Sequence, residues 1–128
     1  MNKTDSVYLG KAGEEQAAET LEAAGMKIIS RNFRSKFGEI DIIAIDGGKQ
    51  AALVFVEVKA WSAFGIEDLQ YSIDITKQRK IIKTAKYFLS ENRKYSNMPV
   101  RFDVVFVKTT GCQTPEITHL ASAFTERV

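Results

Sequence analysis

Apolar residues follow two different periods along this chain, and each change of period marks a change of element. From a cap at Thr4 or Asp5 to Ala24, the small and apolar positions Gly10, Ala17, Ala18, Leu21 and Ala24 recur at helical spacing and stop before Gly25, which predicts a first helix. Lys27 to Phe33 predicts a short strand. Ile40 to Ile45 and Ala52 to Lys59 are β-branched and apolar, and Asp46-Gly47-Gly48-Lys49-Gln50-Ala51 supplies turn chemistry between them, so the pair predicts a hairpin. Helical spacing returns from Thr76 to about Asn92, with Ile81, Ile82, Ala85, Phe88 and Leu89 inward. A strong strand, Arg101 to Lys108, and a weaker one, Glu116 to Ala121, complete the pattern. The order αβββαββ predicts a mixed α/β sheet with a helix on each side. Residues 1–128 contain no repeat, linker or low-complexity segment and read as a single domain.

Charges interrupt the hairpin where apolar residues dominate. Ile40, Ile42, Ile43, Val54, Phe55, Val56 and Val58 make both of its faces apolar, as covered central strands require. If Asp46 faces Ala52, then Ile45 meets Leu53, Ile43 meets Phe55, Asp41 meets Glu57 and Glu39 meets Lys59. Alternation then puts Asp41, Glu57 and Lys59 on one face, with two carboxylates opposed. Opposed like charges destabilise a sheet, and buried carboxylates either find compensation or take up protons. A divalent cation compensates well: two carboxylates with the Val58 carbonyl form a hard oxygen site suited to Mg²⁺ or Mn²⁺. Lys59 can then orient a water or stabilise charge on a phosphoryl group. The same residues also admit a plainer reading, with Glu39 and Lys59 as a cross-strand ion pair.

Composition narrows the chemistry further. At 128 residues, 45% hydrophobic and 27% charged, the chain has ordinary globular proportions. The N-terminus lacks an apolar signal core and no stretch approaches a membrane span, so a cytoplasmic protein with no membrane partner is expected. Cys112 and His119 stand alone in their types, which excludes disulfides, zinc clusters and Cys-His pairs and leaves His119 structural or merely exposed. The net charge of +2 says little, but its distribution is uneven: Lys77 to Lys94 holds seven basic residues against one acid. On the second helix Lys77, Arg79, Lys80 and Lys83 are therefore candidate phosphate contacts, joined by Arg31, Arg34 and Lys36 from a basic turn before the hairpin. The plain alternative is a solvated helix face and a solvated turn. Gln78, four residues before Ile82, lies close to the buried stripe. Glu14 falls on the apolar stripe of the first helix; it either approaches the carboxylate pair or snorkels at the helix edge. The irregular stretch Ala60 to Ile75, with Trp61, Phe64, Ile66, Leu69 and Tyr71, admits a flap, a short helix or a dimer contact, and Trp61 either packs in the core or stacks on a base.

The element order, with Gly38-Glu39-Ile40-Asp41, Phe55-Val56-Glu57-Val58-Lys59 and Arg101-Phe102-Asp103-Val104-Val105, resembles the YraN-like family of the PD-(D/E)xK, or restriction-endonuclease-like, superfamily. Gly13-Glu14, Arg31-Asn32-Phe33-Arg34 and Lys77-Gln78-Arg79 look like the same pattern, so the likeness spans most of the chain. It implies Asp41 and Glu57 as metal ligands, Lys59 as catalytic lysine, Glu14 as the supporting helix acid and Gln78 as an auxiliary polar residue. The activity implied is a Mg²⁺- or Mn²⁺-dependent endonuclease acting on DNA. By analogy with archaeal Holliday-junction resolvases it would prefer branched or single-stranded DNA and work as a homodimer. The alternative is a nucleic-acid-binding protein that keeps the fold without cutting. Two positions depart from the pattern: Ile40 replaces the superfamily's proline, and Trp61 stands where relatives often carry a basic residue.

Overall fold

The computed structural model describes residues 3–48, 51–62, 73–109 and 114–126. The elements are α1 (Lys3–Ala23), β1 (Met26–Ser35), β2 (Gly38–Asp46), β3 (Ala52–Ser62), α2 (Ile75–Glu91), β4 (Val100–Thr109) and β5 (Glu116–Phe124), in the expected order αβββαββ. The five strands form one mixed sheet in chain order. Neighbouring pairs are antiparallel except β3 and β4, which are parallel because α2 lies in the connection between them. Among the described residues no helix is long and apolar enough to cross a membrane. The aromatic positions from 63 to 71, Cys112 and the side chain of Trp61 lie outside the described residues.

The two-faced apolar character of the hairpin reflects a core on each side of the sheet. Toward α1, Ala17, Ala18 and Leu21 pack on Ile42, Ala44, Val54, Val56, Val105 and Val107. Toward α2, Ile81, Ala85 and Phe88 pack on Ile40, Ile43, Leu53, Phe55 and Phe102. Phe55 lies 5.9 Å from Phe88 edge-on and 5.7 Å from Phe102 in a stack, so the α2 side is an aromatic core while the α1 side is aliphatic. Small residues on α1 let it sit close. A Cβ at Gly13 would fall 2.5 Å from the Ala60 Cβ, so glycine is required there by contact.

The register expected for the hairpin is observed from Asp46 opposite Ala52 to Ile42 opposite Val56. There the pairing ends. β2 stays with β1 down to the tight turn between Ser35 and Gly38, whereas β3 follows β4 as far as Ser62 opposite Thr109. The strands therefore fork at Asp41 and Glu57. Ile40 and Ile43 share the α2-side core, a spacing that strict alternation forbids, so alternation is interrupted at Asp41 as well.

Several local expectations need correction. β1 is longer than expected, so Arg31 and Arg34 lie on the strand and only Lys36 is in the turn. Glu39 stands opposite Arg34, 3.3 Å away as an ion pair, and not opposite Lys59, because β2 has left β3 by that point. Ala24 follows the end of α1 and is exposed, the chain being reversed by Gly25 at φ +94°.

Gly13→Ala is expected to lower stability by about 1–2 kcal/mol in urea denaturation. The gain in helix propensity of about 1 kcal/mol is smaller than the overlap with Ala60. An unchanged or raised midpoint would show that α1 can lift off the sheet.

Candidate functional site

At the fork the backbone lacks its strand partner, and a side chain replaces it: the Val58 N–H donates to Asp41 Oδ2 at 2.7 Å. This bond ties Asp41 to β3 although its own strand is diverging. Glu57, the preceding residue on β3, has a side chain only 14% exposed. Burial pushes the Asp41 carboxyl up to about 6 and the charge of Glu14 adds to the rise, while the Val58 amide opposes it. Burial pushes Glu57 up to about 7, with the Asp41 charge as the next cause. Glu57 thus feels the charge of Asp41, and Asp41 that of Glu14, as like charges in one desolvated region do.

A cation from α2 answers them. Lys77 Nζ lies 3.6 Å from Glu57 Oε1, and its charge lowers the carboxyls of both Asp41 and Glu57. The outward position expected of Lys77 is corrected here. The spacing Lys77, Ile81, Ala85, Phe88 is the buried stripe itself, so the first turn of α2 delivers the lysine to the fork. That signal was legible four residues before Ile81. Asp74 caps the helix by accepting from the Lys77 N–H at 2.8 Å, and Gln78 Nε2 donates to the Ile73 carbonyl at 2.8 Å. Gln78 therefore braces the start of α2.

The remaining candidates separate into groups. Glu14 is half-buried on α1 and acts on Asp41 through its charge. Lys59 lies two residues beyond Glu57 on β3, half-buried. Arg31 pairs with Glu15 at 3.0 Å and Arg34 with Glu39 at 3.3 Å, both at the β1 edge of the sheet. Lys36 sits over the Phe37 ring, 5.2 Å from its centroid. Arg79, Lys80 and Lys83 are exposed on α2.

A second acidic cluster shows what a satisfied carboxylate looks like in this fold. Asp103 is fully buried; it accepts from Arg101 Nε at 2.8 Å, Arg101 Nη2 at 2.9 Å and the Ser122 N–H at 3.0 Å, and meets His119 Nε2 at 2.7 Å. Arg101 also reaches Asp46 Oδ2 at 3.0 Å. Burial raises Asp103, but the bonds from His119, Arg101 and Ser122 outweigh it and hold the carboxyl below the usual range. His119 is structural, as one of the two readings of the sequence had it. The Arg101–Asp46–Asp103 network was not read from sequence, because partners 55 residues apart meet only when β3 and β4 run parallel.

Donors at the fork are few. Among the described residues no group of three or more Asp, Glu, His and Cys side chains is placed to hold a metal ion. Two carboxylates whose burial raises both, beside the Val58 backbone, remain. That set does not suit zinc, which takes three or four protein ligands. It fits Mg²⁺ or Mn²⁺, since magnesium keeps several waters and is commonly bound through one or two carboxylates and substrate phosphates.

Comparison with known proteins adds a family. The model of the family described as "Uncharacterised protein family UPF0102" matches residues 13–107, which include Glu14, Asp41, Glu57, Lys59, Lys77 and Gln78 but not His119. Similar proteins, each named "UPF0102 protein", occur in Treponema denticola (44% identical over 122 residues, 91% of this chain and 94% of the relative) and Persephonella marina (44% over 115 residues, 90% and 91%). Another, from Treponema pallidum, is 41% identical over 122 residues, 94% of each chain.

A carboxyl that binds its proton more tightly folded than unfolded makes the folded state the better proton binder between the two pKa values. Stability should therefore fall as pH rises from about 4 to about 7, the window set by Asp41 and Glu57. Glu57→Gln is expected to flatten that decline and to raise stability near neutral pH by roughly 1–3 kcal/mol. Urea midpoints measured across the window check it; a slope unchanged by the substitution would refute the buried-pair assignment.

Proposed function

Because the chain belongs to the uncharacterised protein family UPF0102, we propose its activity from the fork itself: a Mg²⁺- or Mn²⁺-dependent endonuclease hydrolysing phosphodiester bonds of DNA. The observation that carries the proposal is the contrast between two buried acidic clusters in one fold. Asp103 is saturated with donors and held low, whereas Asp41 and Glu57 are left raised with partial compensation from Lys77. A fold able to satisfy one buried carboxylate leaves two others short of positive charge, which is the mark of a site awaiting a cation. The resemblance of this layout to PD-(D/E)xK nucleases supports the same reading, as analogy.

In this reading Asp41 and Glu57 hold the ion, with Val58 as a further oxygen. The ion, when bound, supplies Lewis-acid stabilisation of charge on the phosphodiester. Glu14 strengthens the negative potential that attracts the ion. The Lys59 ammonium stabilises charge developing on a phosphoryl oxygen or orients the attacking water. Lys77, 3.6 Å from Glu57 Oε1, would be within reach of a substrate phosphate held at the fork. Lys36, Arg79, Lys80 and Lys83 are the cations assigned to the nucleic-acid backbone in this reading, while Arg31 and Arg34 are engaged by acids and contribute less. A cytoplasmic setting and a homodimer accord with this role.

The second reading, binding without cleavage, rests on the Lys77–Glu57 pair, which already supplies a resident cation. Incubating the protein with branched, flapped, single-stranded and duplex DNA in Mg²⁺, Mn²⁺ or EDTA separates the two. Cleavage is expected with metal, absent in EDTA, and at least about 100-fold slower in Asp41→Ala and Lys59→Ala. Cleavage that survives both substitutions would discredit the site; binding with no cleavage would establish the second reading. Independently of activity, Mn²⁺ at 100 times its Kd should stabilise the wild type by about 2.7 kcal/mol but not Asp41→Ala. Lys80→Glu with Lys83→Glu is expected to weaken binding for every DNA sequence alike and to lower its salt dependence; an affinity indifferent to both would remove α2 from the interface.

A further inference from the structure

Five large hydrophobic residues are exposed among the described residues, and the two aromatic ones, Phe37 at 38% and Tyr87 at 36%, meet edge to face with ring centroids 6.1 Å apart and planes at 60°. Each sits on a different element: Phe37 in the β1–β2 turn, Tyr87 on α2. Both are mounted firmly. The Phe37 N–H donates to Ser35 Oγ at 3.0 Å, and that hydroxyl reaches the Gly38 carbonyl at 3.3 Å, which closes the turn. Gly38, at φ +147°, lies so close to α2 that a Cβ there would meet Thr84 Oγ1 at 3.4 Å and the Lys80 Cβ at 3.7 Å. Beneath, Phe33 contacts Tyr87 at 6.2 Å and Phe88 at 5.2 Å, anchoring the rings to the aromatic core.

The surroundings are basic. Lys36 lies over the Phe37 ring, Lys80 packs at the turn, and Lys83 is one helical turn before Tyr87. Nearby acids are Glu39, taken by Arg34, and Glu91, one turn beyond Tyr87. Two tracks join this patch to the fork. Along β2, Phe37 is four residues from Asp41, about 13 Å at about 3.3 Å per residue. Along α2, Lys77 to Tyr87 is about 15 Å at 1.5 Å per residue. Either length equals about four nucleotides of a stacked strand.

We infer that Phe37 and Tyr87 form a stacking platform for unpaired bases, with Lys36, Lys80 and Lys83 holding the flanking phosphates, so that the nucleic acid taken by this site is single-stranded next to the fork. Rigid aromatic faces between cations bind bases without regard to sequence, because every base has a π-face. Paired bases stay within the duplex stack and cannot lie on these rings. The inference deepens the proposed function and rests on its nucleic-acid part alone, not on cleavage.

The test is fluorescence anisotropy in EDTA with a labelled oligothymidylate and an abasic oligomer of the same length, which keeps the phosphates and lacks the bases. The wild type should prefer the thymidylate at least about five-fold, and Phe37→Leu and Tyr87→Leu, which keep apolar bulk while removing the ring, should abolish that preference. Lys80→Gln should weaken both oligomers equally; thermal melts verify that each variant folds. Equal wild-type affinity for the two oligomers, or a preference untouched by both ring substitutions, overturns the platform while leaving a phosphate-binding groove intact. Binding of neither oligomer overturns the platform and the nucleic-acid reading together. A preference with the expected ring dependence, in a protein that cuts nothing with Mn²⁺, supports the platform and defeats only the hydrolase reading. Phe37-dependent self-association in sedimentation, without oligonucleotide binding, assigns the patch to a second copy and overturns the inference.

Discussion

The parting of β2 from β3 at Asp41 is the constraint on which the rest of this molecule turns. A strand can pair with one neighbour on each side; β3 has β2 and β4, and beyond Val56 only the partnership with β4 persists. The consequence is a gap in the middle of a sheet, where backbone groups need other partners and where side chains from three elements can enter. Asp41 fills part of the gap by accepting the Val58 N–H, and α2 sends Lys77 into it. A continuous ladder through 41 and 57 would have left no such opening.

Burial alone does not raise a carboxyl, and this chain contains its own control. Asp103 is the more deeply buried residue, yet four polar contacts from three residues hold its carboxyl low, and its neighbours Arg101 and His119 lock β4 to β5 and to the end of β2. At the fork, burial dominates over the donors present, so Asp41 and Glu57 ionise less readily than exposed carboxyls do. The first cluster holds the fold together. The second is held in its strained electrostatic state by that fold, with the cores on both faces of the sheet supplying the stability.

The basic character of α2 divides in the same way. Its first turn, Lys77, belongs to the acidic fork, whereas Lys80 and Lys83 line a surface that continues to Phe37 and Tyr87. Charge at one end and aromatic faces at the other, about 15 Å apart along one helix, make a track with a chemical direction. Gly38 is central to it, because its φ of +147°, a conformation that residues with side chains rarely adopt, sets the β1–β2 turn against the helix.

Local periodicity and turn chemistry determined the element order, the two-sided burial of β2 and β3, their register up to Ile42 opposite Val56, and the oddity of Asp41 and Glu57 among apolar neighbours. Those properties follow from contacts near in sequence, where spacing carries the information. Tertiary structure alone decided where the hairpin pairing stops, because β3 continues along β4, 47 positions further on in sequence, after β2 has turned away with β1. It likewise decided that Glu39 meets Arg34 and not Lys59, that Lys77 faces the acids, that Asp103 is satisfied, and that Phe37 and Tyr87 adjoin. Each of these is a meeting of residues from different elements, set by the packing of whole helices on a sheet, and no single element's pattern encodes it.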